Sequence, residues 1–231
     1  MSHAGYKQFC PVAMAAEILC TRWTVVLLRE LIAGSKRFGD LRRGVPRMST
    51  ALLSRRLKEL EAAGILERRA SENTTGVHEY CLTASGRDLR PVVESIGVWG
   101  QRWVETQPTL DNLDAGLLMW DMRRSLQLRA LSSTRQVIQF DYTDLTAGQR
   151  HWWLIVESEG EVDLCSVNPG FDVDLLVETD LRSMTSVWMG LSSINDEIGA
   201  NRLALDGDPS LANNMQQWLG LSPFAPESKR V

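Results

Sequence analysis

The sequence predicts an α+β chain built as two units, and three observations lead there. Helical spacing of apolar residues fills the stretch from Pro11 to Val104, interrupted by one hairpin signal. Alternating apolar residues recur between 135 and 207, separated by short helical stretches. The charge also changes sign near Pro108: residues 1–107 carry 16 Lys+Arg against 11 Asp+Glu, and residues 108–231 carry 9 against 18. A chain of 231 residues with 44% hydrophobic content can bury two cores. A basic first unit and an acidic second one imply that only the first meets a polyanion. The N-terminal MSHAGYKQF lacks a signal-peptide apolar core, and no run approaches the ~20 apolar residues of a membrane span, so the expected location is cytoplasmic.

Two helices are expected between Pro11 and Ile32, with a break near Cys20–Thr21 and an end at Gly34. "RFGDLRRGV" is a short helix stopped at Gly44. Ser49 is a good N-cap after Pro46, so the next helix starts near Thr50 and is closed by Gly64. On a helical wheel Leu53, Leu57 and Leu60 share one face, with Ala51, Ser54, Arg55, Lys58 and Ala62 opposite. "ILERRAS" and "VHEYCLT" are the arms of a hairpin with "ENTTG" at its tip. From Ser85 a long helix carries Leu89, Val92, Val93, Ile96 and Trp103 on an apolar stripe, and Pro108 marks the exit.

Helices followed by a hairpin, the last helix leucine-backed and cationic, make a helix-turn-helix with a wing. Between Lys36 and Arg69 there are 10 Lys+Arg against 4 Asp+Glu, concentrated where a groove-binding surface would lie. Small side chains let a helix approach base edges closely, and Arg can bond both acceptors of guanine. Arg47, Ser49, Thr50, Ser54, Arg55 and Lys58 are therefore expected to meet double-stranded DNA through this helix and its approach. Arg42, Arg43, Arg68, Arg69, Thr74 and Thr75 are expected at the backbone or the neighbouring minor groove, adding salt-sensitive affinity without sequence choice.

"CPVAMAAEILCTRWTVVLLREL", "RFGDLRRGVPRMSTALLSRRLKELEAAGILERR" and "YCLTASGRDLRPVV" resemble the HxlR family of bacterial winged-helix transcription regulators, a MarR-like group, over about residues 9–105. The resemblance implies a homodimer built from its first and last helices, here Pro11–Leu19 and Ser85–Val104, on a two-fold symmetric operator. It also implies a candidate redox cysteine: some members sense oxidants through a cysteine just before a proline, and Cys10–Pro11 stands at that place. Where the family generally has glycine, this chain has Cys20. Cys20, Cys81 and Cys165 are expected to be buried small apolar residues, since no CxxC or Cys/His spacing suits zinc.

In the second unit "RQVIQFDYTD", "RHWWLIVESEGEVDLCSV", "DVDLLVETD" and "NRLALDG" are expected strands. "LRSMTSVWMG", "SSINDEIGA" and "SLANNMQQWLGL" are expected helices, gathered to one side of the sheet. The order resembles the sterol carrier protein fold over about residues 130–222, which implies an apolar small-molecule ligand held between sheet and helices. Trp152, Leu154, Leu176, Trp188, Met189, Ile194, Ile198, Met215 and Trp218 are the candidate lining, with ordinary core as the competing reading. Glu157, Glu159, Glu161 and Asp163 are read as a solvated sheet edge. The histidines His3, His78 and His151 stand in no nucleophile, HExxH, phosphate-loop or dinucleotide motif, so no enzyme, metal or cofactor is expected.

The expected domains are 1–107 for DNA binding and dimerisation, 108–129 as a helical connection, 130–224 as the sterol-carrier-like ligand domain and 225–231 as a tail. The function these lead to is a homodimeric transcriptional regulator modulated by an apolar molecule. Two rivals stand beside it: a thiol switch at Cys10, and a lipid carrier or accessory protein whose first domain no longer binds DNA.

Overall fold

The computed structural model describes residues 5–72, 74–105, 112–132 and 134–230. The predicted exit at Pro108, the boundary at 107/108, Asn73 of the hairpin tip and His3 lie outside them. The chain divides into two compact units, Met1–Gly97 and Val98–Val231.

The first unit contains α1 (Pro11–Leu19), α2 (Thr24–Ile32), α3 (Phe38–Gly44) and α4 (Thr50–Ala62), then the strands β1 (Leu66–Ala70) and β2 (His78–Leu82), then α5 (Ala84–Asp88) and the start of α6 (Arg90–Trp103). β1 and β2 pair antiparallel, with Leu66 opposite Leu82 and Ala70 opposite His78. Leu27, Leu28, Leu31, Leu41, Leu53, Leu57 and Leu60 form the core with Ile65 and Leu66. Leucines from α2, α3 and α4 meet there because each helix is apolar on one stripe only. Gly34 and Gly64 adopt φ of +99° and +70°, which end α2 and α4 without the clash a Cβ would bring.

Two expectations about this unit change. The long helix from Ser85 is two helices broken at Leu89, because Pro91 lacks the N–H that would bond the carbonyl four residues back. Its apolar stripe is split within this unit, with Val93 buried and Val92 and Ile96 exposed. Cys20 is exposed, not buried, because it sits at the C-terminal cap of α1, a helix with no buried residue.

The second unit is a five-stranded sheet in the order β5-β4-β3-β6-β7. Its strands are β3 (Gln136–Tyr142), β4 (His151–Val156), β5 (Val162–Cys165), β6 (Leu175–Thr179) and β7 (Leu203–Gly207). Only β3 and β6 run parallel; the other pairs are antiparallel. The helices are α7 (Ala115–Ser125), α8 (Ala147–Arg150), α9 (Leu181–Trp188), α10 (Ile194–Gly199), α11 (Pro209–Asn213) and α12 (Met215–Leu219). The stretch read as a connection therefore contributes α7, whose Leu118, Met119 and Met122 join Phe140, Tyr142, Val177, Met184 and Trp218 in the main core.

Strand alternation divides the nine candidate ligand residues. Leu154, Trp188, Ile194, Met215 and Trp218 are buried in the main core, with Trp152 and Met189 packed against it. Leu176 points to the other face. It is paired with Gln139, while its neighbour Leu175 pairs with the core residue Ile138. Ile198 is exposed on α10. One cavity in this unit holds about 310 Å³ and lies where the parallel strands end, against Thr143, Glu178, Thr179, Asp180, Asn201 and Arg202 and the apolar pair Leu203 and Ala204. Its lining mixes these polar groups with the apolar pair and includes none of the nine.

Candidate nucleic-acid interface

The α3–turn–α4 unit is fixed by its caps and by a buried polar group. Ser49 Oγ accepts the Leu52 N–H at 3.3 Å, so the serine satisfies one of the unpaired donors at the start of α4. Glu30 of α2 is fully buried. Arg29 binds one of its carboxylate oxygens at 2.5 Å, and Ser35 Oγ donates to the other at 3.3 Å. Arg29 also donates to the Gly44 carbonyl at 3.0 Å, tying α2 to the end of α3. Gly44 fits because a Cβ there would stand 1.9 Å from Glu30 Oε2.

With its leucines inward, α4 turns Thr50, Ala51, Arg55, Lys58 and Ala62 outward, and Ser54 is half-buried. Arg55 Nε donates to Glu59 Oε1 at 2.9 Å. Desolvation acts to raise the Glu59 pKa, but the hydrogen bonds from Arg55 and Arg56 outweigh it and hold the carboxyl below its usual value. Arg42, Arg43 and Arg47 are exposed between the last turn of α3 and the start of α4, and Arg43 lies 3.6 Å from Asp40.

The two wing arginines are both exposed, and as neighbours on β1 they project from opposite faces of the hairpin. Arg69 is engaged by Glu67 on its own face. Thr74 and Thr75 are exposed at the tip. Here the structure adds a residue that sequence reasoning passed over. Arg37 donates to Thr74 Oγ1 at 3.1 Å and stands 3.7 Å from Glu79, while the Tyr80 N–H donates to the Lys36 carbonyl. The segment before α3 thus steadies the wing. A basic pair preceding a helix gave no signal for such a contact.

Arg56 is a second addition. It faces inward from α4, only 9% exposed, with Nε donating to the Arg22 carbonyl at 3.2 Å and the guanidinium paired to Glu59. Among the described residues no group of three or more His, Cys, Asp or Glu is placed to hold a metal ion.

A three-helix core, a capped outward cationic helix and a paired hairpin define a winged helix-turn-helix DNA-binding protein. The model of the HxlR-like helix-turn-helix family matches residues 18–108. The chain is 35% identical over 100 residues to the uncharacterized HTH-type transcriptional regulator YvaP of Bacillus subtilis, covering 43% of this chain and 93% of that protein. To the regulator YdeP of the same organism it is 34% identical over 106 residues, 46% of this chain and 80% of that one. The regulator sll1512 of Synechocystis is 36% identical over 98 residues, 42% and 73% of the two chains. The chain belongs to the HxlR-like helix-turn-helix family of transcription regulators.

Proposed function

We propose that two copies of the chain bind a two-fold symmetric DNA operator, each laying α4 in a major groove with the wing against the backbone, and so control nearby genes in the cytoplasm. The observation that carries the reading is the pairing, in one unit, of the cationic α4 face with uncovered apolar helices. Pro11–Leu19 has no buried residue, and Phe9, Val12 and Met14 are 98%, 75% and 58% exposed; Val92 and Ile96 are uncovered along α6. Apolar surface of this extent on a monomer marks an association face. A second copy covers it by a two-fold contact that sets the two α4 helices about 34–36 Å apart. In a gel shift with DNA upstream of the chain's own gene, the expected complex is a dimer whose affinity falls steeply with salt. Equal affinity for that DNA and for random DNA at every salt concentration defeats the reading.

A regulator needs an input, and one observation favours a thiol. Cys10 is exposed at the N-terminal cap of α1, where the backbone N–H groups of Ala13 and Val12 hold its thiol below the usual cysteine value. Oxidant treatment of the wild type and Cys10→Ser tests this input; a mutant that still releases DNA removes it. The apolar-ligand reading of the second unit is the weaker one, since seven of its nine candidate residues pack in or against the core.

A further inference from the structure

Behind α4 lies a cavity of about 190 Å³, formed wholly within the first unit by Glu17 and Ile18 of α1, Thr21 and Thr24 around the bend, and Arg56, Glu59, Leu60 and Ala63 of α4. Its position is mechanically informative. α1 and α2 meet at 83° there, and the bend is made by Trp23 at φ +78°, a left-handed conformation that a bulky side chain keeps only when its surroundings enforce it. Arg56 is one such restraint, because its Nε holds the Arg22 carbonyl immediately before the bend. The cavity therefore touches both α1, which is free of buried residues, and the helix that faces DNA.

Its chemistry selects an occupant. Ile18, Leu60 and Ala63 supply an apolar wall, and Thr21 and Thr24 supply hydroxyls. Of the charged groups, two are carboxylates and one is a guanidinium already engaged by Glu59 and the Arg22 carbonyl. An anion would meet two carboxylates and an occupied cation. A small ammonium ion with a short apolar tail would meet the hydroxyls and Glu17, whose Oε1 accepts the Tyr6 N–H, and would compete with Arg55 and Arg56 for Glu59. A volume of 190 Å³ matches roughly six waters at ~30 Å³ each, enough for such a molecule.

The geometry points to this cavity as an effector site for a small primary amine, whose ammonium competes with Arg55 for Glu59 and so releases Arg55 toward DNA. Glu59 is the link. It bonds Arg55, on the outward face of α4, and Arg56, in the cavity wall, with a single carboxylate. Filling the cavity with a cation draws that carboxylate inward and leaves the Arg55 guanidinium unengaged. The coupling is positive: the amine tightens DNA binding, and DNA tightens amine binding by the same factor. This inference rests on the DNA-binding reading above and supplies it with an input.

The test uses the full chain in two measurements. First, without DNA, propylammonium chloride is titrated while the amide signals of Thr21, Thr24 and Ala63 are followed by NMR. Tetramethylammonium chloride serves as a charge-matched control that cannot donate a hydrogen bond, and sodium propionate serves as the anionic arm. Saturable shifts with propylammonium alone are expected. Second, at matched ionic strength, propylammonium is expected to raise affinity for the upstream DNA about fivefold or more, the lower end of ordinary coupling. Glu17→Gln, which can still accept the Tyr6 N–H now bonded to Glu17 Oε1, is expected to keep the basal DNA affinity and lose the amine response. No saturable shifts, shifts with propionate instead, or binding without a change in DNA affinity each overturn the proposal. Failure to bind DNA at all, with the amine shifts intact, overturns the DNA-binding reading and leaves the amine site standing.

Discussion

The fit of Glu30 beneath Gly44 gives a perturbation whose size follows from the coordinates. A methyl group at Gly44 would stand 1.9 Å from Glu30 Oε2 and 2.0 Å from Cδ. Ordinary contact between such atoms begins near ~3.5 Å, so one partner must give by about 1.5 Å. Glu30 cannot swing away cheaply: it is fully buried, and Arg29 and Ser35 hold its two oxygens. Overpacking of this kind costs about 1–3 kcal/mol, and the immobile carboxylate places Gly44→Ala in the upper half of that range. With a urea m-value of about 2 kcal/mol/M, the midpoint falls by about 1 M. Seven of the eight tryptophans lie beyond Gly97, so fluorescence would report the other unit. Amide exchange of α2 and α4 against urea is the suitable probe. The decisive arm is a double-mutant cycle. Once Glu30→Ala has removed the carboxylate, adding Gly44→Ala should cost less than about 0.5 kcal/mol, a coupling of about 2 kcal/mol. Additive losses would refute the reasoning, because they would mean the alanine is resisted by something other than Glu30.

Arg55→Ala should cost about 1–3 kcal/mol on the preferred operator and little on random DNA if Arg55 reads a guanine, whereas Lys58→Ala should weaken both alike and lower the salt slope by about one if it meets a phosphate; salt-dependent anisotropy titrations separate the two. Ile96→Lys should convert the proposed dimer to monomer in sedimentation without unfolding the first unit, since Ile96 is 48% exposed; an unchanged dimer removes α6 from the association face. Glu197 is held at a pKa of about 2, chiefly by the Arg202 hydrogen bond, against the cost of its desolvation and with help from Ser192 and Ser183. A depressed carboxylate pKa contributes stability that is fully present above the unfolded value near ~4.3 and is lost as the pH falls toward 2. Acid titration of the second unit should therefore show a loss between about pH 4.5 and 2 that is absent in Glu197→Gln.

Much of the first unit could be read from sequence because its signals are local. Ser49 and Gly64 bracket α4 with a cap and a stop, and Leu53, Leu57 and Leu60 are spaced for one face; the helix runs Thr50–Ala62 with those leucines buried. What escaped depends on partners distant in the chain. Arg56 falls only about 60° from Leu53 on the same wheel, on the leucine side. Its charge argued for solvent, and only the Arg22 carbonyl, 34 residues away, explains its burial. Arg37 was illegible for the same reason, since its partner Thr74 is brought near by the hairpin.

The second unit marks a different limit. An apolar alternation states that a strand has an inside without saying which neighbours share it. In "LLVET" the adjacent leucines carry no parity of their own, and only the parallel register with β3 sends Leu175 to the helices and Leu176 away. Reading a pocket from such residues requires a gap between layers. Met215 and Trp218 are instead fully buried in the core. The cavity of about 310 Å³ arises where β3 and β6 end side by side and the chain must leave the sheet. Backbone turns and Thr, Asp and Asn side chains collect at such a place because they satisfy the unpaired groups of ending strands and starting helices. Polar groups line this cavity beside Leu203 and Ala204 for that structural reason, a feature that aromatic and methionine content does not signal.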